Sequence, residues 1–72
     1  MGEVFIRGIK FPLTIEGATV LDADGNYNVY INTLLSYETQ KRVVKHELTH
    51  IKKEHFYDFD PVIHNELEAN AG

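Results

Sequence analysis

The stretch "VVKHELTHIKKEH", residues 43–55, sets His46 and His50 four positions apart, with Glu47 directly after the first. On an α-helix, positions i and i+4 stand one above the other on the same face. Two imidazoles placed in this way can reach one tetrahedral zinc ion at about 2.0–2.1 Å. Glu47 projects at a neighbouring angle, where a carboxylate can meet water without taking a coordination site. This is the His-Glu-x-x-His pattern of zinc peptidases. The bland alternative is a charged surface helix that carries histidines by chance.

A catalytic zinc site has three protein ligands and an open position, so the pattern requires one more. Metzincin spacing does not supply it, because Lys53 and Phe56 stand where that pattern needs Gly and His. The candidates downstream are His64, Glu66 and Glu68. Glu66 ranks first, because Asn70 follows it one turn later. A carboxamide there can accept the free N–H of a ligand histidine and fix its tautomer. Tyr57 and His64 are both candidates to stabilise an oxyanion, and their residue types do not choose between them. His55 reads as a packed histidine or a partner of the helix C-terminus rather than a ligand.

These side chains need elements to carry them. Ser36 is the best N-cap for a helix that starts at Tyr37 or Glu38 and meets no proline or glycine before Phe56. On a helical wheel its residues sort into three faces. Gln40, Val44, Leu48, Ile51 and His55 form the expected core stripe. Lys41, Arg42, Lys45, Thr49 and Lys52 form a solvent side. His46 and His50, flanked by Val43, belong to neither. A purely surface helix needs two faces, so the third favours a site.

Asp60 before Pro61 ends the helical run, and "PVIHNELEANAG" then predicts a short second helix. Upstream, "EVFIRGIKF" and "TIEGATVLDA" predict strands, and Pro12 limits any central-strand role beyond the first. Asp24-Gly25 signals a two-residue hairpin turn. Tyr27, Val29 and Ile31 then alternate with Asn28, Tyr30 and Asn32, the period of a half-buried strand. "DADGN" also suggests a calcium loop, but Tyr27 and Thr33 occupy the positions where such a loop needs Gly and Glu. The hairpin is the better reading.

With 72 residues the chain holds one domain, residues 1–72, and a small core. It has no cysteine, so disulfides cannot support that core, whereas a bound metal can. No apolar stretch suits a signal peptide or membrane span, so the expected location is the cytoplasm. Ile6 stands where a myristoylation motif needs Ser or Thr. A net charge of −4 argues against a nucleic-acid partner. Yet Lys41, Arg42, Lys45, Lys52 and Lys53 are five of the seven cations, gathered within 13 residues. They read as a solvated helix face or as a docking face for an acidic partner.

On "YNVYIN", "LSYETQKRVVKHELTHI" and "ELEAN", the chain from Tyr27 to Asn70 resembles the ImmA/IrrE family of zinc metallopeptidases of bacteria, phages and mobile elements. Glu66, Ala69 and Asn70 match the family's Glu-x-x-Ala-Asn/Asp pattern. The resemblance implies a minimal or phage-type member with an α+β fold of the gluzincin kind. Such a fold has a small antiparallel sheet with a hairpin, packed on the HExxH active-site helix and followed by a short C-terminal helix. It further implies Zn2+ as cofactor, held by His46, His50 and Glu66, with Glu47 catalytic and Asn70 supporting a ligand. The substrate would be a protein, such as a repressor or regulator of a mobile element, in a bacterial or phage-infected cell. In the family an extended substrate adds to the sheet edge along the cleft, which here is Asn28, Tyr30 and Asn32. The rival expectation is a catalytically weak or inactive zinc domain that binds and blocks a protein partner. A metal-free helix–hairpin module is a third.

Overall fold

A computed structural model describes residues 2–54 and 60–67. The elements are β1 (Val4–Ile9), β2 (Gly17–Leu21), β3 (Tyr27–Asn32), α1 (Tyr37–Lys53) and β4 (Ile63–Asn65). They make a small α+β fold in which one helix packs on a four-stranded sheet ordered β2-β3-β1-β4.

The sheet is mixed, which corrects the expectation of an antiparallel one. β2 and β3 are antiparallel, whereas β1 runs parallel to both β3 and β4. The chain reverses between β1 and β2 and again in the β2–β3 hairpin, so β3 points along β1 and takes the inner place beside it. α1 then returns the chain across the sheet, and β4 enters parallel on the far side of β1.

Within the stretch expected to form a second helix, Ile63–Asn65 make a short strand instead. Val62 and Ile63 are adjacent β-branched residues, which favour extended backbone. The open edge of β1 gives that backbone partners. Val4 N–H donates to the Val62 carbonyl at 2.9 Å, and Glu66 N–H donates to the Ile6 carbonyl at 2.8 Å.

The hairpin forms where Asp24-Gly25 predicts, but with three loop residues rather than two. Asp22 N–H donates to the Asn26 carbonyl at 2.9 Å, and Gly25 N–H donates to the Asp22 carbonyl at 3.1 Å. Only Gly25 takes positive φ in the loop, at 82°. This is a turn followed by one left-handed residue, a position that glycine fills without steric cost. Asp22 Oδ1 accepts from Asp24 N–H at 2.9 Å and Asn26 N–H at 3.0 Å, and Oδ2 accepts from the Asn28 amide at 3.1 Å. The carboxylate suggested as a calcium ligand therefore serves the turn itself.

Alternation buries Tyr27, Val29 and Ile31 of β3 with Val4 and Ile6 of β1, and Val43 and Ile51 of α1 close over them. Ser36 caps α1, its Oγ accepting from Thr39 N–H at 3.2 Å. A Cβ on Gly17 would stand 3.0 Å from Val43 Cγ1 and 2.9 Å from the Tyr30 carbonyl, so glycine lets α1 sit close over β2. The buried stripe of α1 is turned toward Val43 relative to expectation. Val44 and Leu48, expected in the core, are only partly buried. No helix among the described residues is long and apolar enough to cross a membrane.

Candidate functional site

α1 rests on β3 and β2, and it turns one flank toward the outer side of β2. His46, Glu47 and His50 lie on that flank. The two imidazoles meet edge to face, with centroids 4.4 Å apart and planes at 85°. Their Nε2 atoms approach to 3.0 Å, so that one ring's N–H donates to the other's lone pair. Two nitrogens bound tetrahedrally to zinc at about 2.0–2.1 Å stand roughly 3.3 Å apart. The observed separation is a few tenths of an ångström shorter than that.

Glu47 turns under β2, where its Oε1 accepts from the Thr19 hydroxyl at 2.6 Å. A cavity of about 250 Å³ lies here, lined by Thr19, Leu21, Tyr27, Glu47, His50, Ile51 and Glu54. Burial, and secondarily the Glu54 carboxylate, push the Tyr27 hydroxyl above its usual pKa, so it stays a neutral phenol at neutral pH. The arrangement therefore gathers imidazoles, a carboxylate and a phenol beside a strand edge.

Glu66 is not brought to this flank. β4 and β2 are opposite edges of the sheet, about 14 Å apart at the usual strand spacing. Glu66 also follows the strand alternation onto the face away from α1, where its Oε1 lies 3.6 Å from Arg7 Nε. The helix expected to carry it inward is β4, and the strand directs it outward. His64 faces the same way. It stacks on Phe5 with centroids 4.6 Å apart, and its Nε2 lies 2.6 Å from Glu3 Oε1. Among the described residues, no group of three or more His, Cys, Asp or Glu side chains is placed to hold a metal ion. His55, Tyr57, Glu68 and Asn70 lie outside the described residues.

The expected substrate edge is also displaced. β3 pairs with β1 on one side and β2 on the other, so Asn28, Tyr30 and Asn32 offer no open backbone edge. Asn28 binds Arg7 Nη1 at 2.8 Å. Asn32 is fully buried, accepting from Phe11 and Leu34 N–H and donating to the Pro12 and Ile15 carbonyls. The edge beside Glu47 is β2. The bond from Asp22 N–H to the Asn26 carbonyl sets the antiparallel alternation. It turns the backbone groups of Thr19 and Leu21 outward.

Thr19, Tyr27 and Glu54 escaped the reading of the sequence. Glu54 carries a usable signal, since it extends the spacing of His46 and His50 by four more residues. Thr19 carries none without the strand register. Comparison with models of known protein families, with curated proteins and with solved structures returns no match.

Proposed function

We propose that the chain is a zinc-dependent peptidase of the His-Glu-x-x-His type, with His46 and His50 as metal ligands and Glu47 as general base. The observation that carries this reading is the 3.0 Å convergence of the two Nε2 atoms beside the Glu47 carboxylate. A zinc ion held by His46 and His50 would supply Lewis acidity toward a carbonyl oxygen and would acidify a water. Glu47 takes a proton from the attacking water and passes it to the leaving amine. The Thr19 hydroxyl holds the carboxylate toward the strand edge. An extended substrate adds to β2 through the outward backbone groups of Thr19 and Leu21, which replaces the edge expected on β3. Tyr27, protonated and lining the cavity, takes the donor role expected of Tyr57 or His64. The substrate is a protein, with a repressor or regulator of a mobile element as the class the family resemblance suggests.

One observation favours a second reading, a zinc domain that binds and blocks a partner without cutting it. Glu66 lies beside Arg7 on the face of the sheet away from α1, which leaves two imidazoles as the donor set among the described residues. The test uses the zinc-loaded chain, a denatured bacterial proteome and mass spectrometry. Chelator-sensitive fragments that disappear in Glu47→Gln, at unchanged zinc content, support the peptidase. Zinc binding without fragments supports the blocking domain. A chain that takes up no zinc contradicts both.

A further inference from the structure

The other flank of α1 carries a larger feature that the metal chemistry does not use. A groove of about 650 Å³ runs between α1 and the end of β4. Val44, Leu48 and Leu67, all partly buried, give it an apolar floor. Lys41, Lys45 and Lys52 stand along one wall. Their positions i, i+4 and i+11 form a row rather than a scatter, because these spacings recur on one helix face. Tyr37 supports the first, with Lys41 Nζ 5.2 Å from its ring centroid.

Charge and shape both narrow the occupant. No carboxylate lines the groove among the described residues, in a chain whose net charge is −4. Among the described residues, the sign of this wall therefore runs against that of the molecule. Four strands span roughly 14 Å between outer axes, and packed helices lie about 8–10 Å apart. Such a sheet has room for two helices side by side, and α1 occupies the half over β2 and β3. The lysine-bearing wall from Tyr37 to Lys52 is about 22 Å long at the helical rise per residue.

We propose that this groove is a docking site for an amphipathic helix of a protein partner, with apolar residues on one face and carboxylates along the adjoining edge. The helix lies alongside α1 and sets its apolar residues on Val44, Leu48 and Leu67. Its carboxylates meet the lysine row. The inference is independent of the metal reading, since His46, Glu47 and His50 do not line this groove.

The test selects binders to the intact 72-residue chain from a displayed library of helical peptides of about 15–20 residues, long enough to match the wall. Enrichment of sequences with an apolar face and an acidic edge is expected. The selected peptide should shift the NMR signals of Val44, Leu48 and Leu67, and its affinity should fall as salt rises. The charge reversal Lys41→Glu, Lys45→Glu and Lys52→Glu should weaken it at least about tenfold. A lysine-edged version of the peptide should restore binding to that variant. Recovery of only neutral or basic sequences, or of none, overturns the proposal. So does a change of oligomeric state on charge reversal, which would make the groove an interface between copies. Signal shifts confined to anionic phosphatidylglycerol vesicles, with no peptide effect, would assign the lysines to a membrane surface and overturn it too.

Discussion

The two flanks of α1 share one floor and differ in almost everything else. On the β2 side, short polar contacts fix individual atoms: Thr19 to Glu47 at 2.6 Å and His46 to His50 at 3.0 Å. On the β4 side, an apolar floor lies open beneath a row of cations. The first flank suits chemistry, which needs placed atoms. The second suits association, which needs complementary area and charge. The buried stripe of the helix is narrow, with Val43 and Ile51 as its buried residues. Each flank is left to do something other than fill the core.

This division predicts separable defects. The largest effect is expected for His46→Ala with His50→Ala. Zinc affinity, read by competition with a colorimetric chelator, should fall by more than about 100-fold, beyond the loss from removing a mere supporting partner. Peptide binding in the groove should not change. Ile51→Ala strikes the shared floor. It should cost about 2–4 kcal/mol in urea unfolding and impair both flanks together. Gly17→Ala should cost about 1–3 kcal/mol, because a methyl group must displace Val43 or the Tyr30 carbonyl. Lifting α1 from β2 should separate Thr19 from Glu47 and reduce any Glu47-dependent cleavage, sparing zinc affinity and the groove.

Thr19→Val keeps the shape of the strand and removes one hydrogen bond. It should change stability by about 1 kcal/mol or less while reducing any Glu47-dependent cleavage, a contrast readable from unfolding and turnover on the same sample. The smallest effect is expected at Asp22. Hydrogen bonds from Asn26 N–H, the Asn28 amide and Asp24 N–H hold its carboxyl below the usual carboxylate range. A lowered folded pKa contributes stability that is present above the ordinary carboxylate pKa. That contribution is lost as pH falls through the lowered value. NMR signals of Gly25 and Asn26 should therefore move in acid, and Asp22→Asn should remove that transition without touching either flank.

The helix and the hairpin were legible because their signals are local. Ser36 caps where a capping residue was expected, and Gly25 takes the positive φ that its turn requires. The histidine pair was legible for the same reason, as a spacing within one helix. Apart from the length of the hairpin loop, the failures concern partners distant in sequence. Nothing in "YNVYIN" distinguishes an edge strand from one flanked on both sides, because both alternate with the same period. "PVIHN" carries helix and strand propensities of similar weight, and the open edge of β1 decides between them. That decision turned Glu66 to Arg7 and away from the histidines. The groove went unseen because Val44 and Leu48 look like core residues on any wheel. Their partial exposure depends on how α1 is rotated over Gly17.

X-ray absorption at the zinc edge, on the chain purified with zinc and on His46→Gln with His50→Gln, addresses the metal assignment most directly. One zinc per chain with two imidazoles at about 2.0–2.1 Å, lost in the double variant, is the expected result. A chain that binds no zinc, or whose zinc shows no imidazole ligand and survives the double substitution, would contradict it.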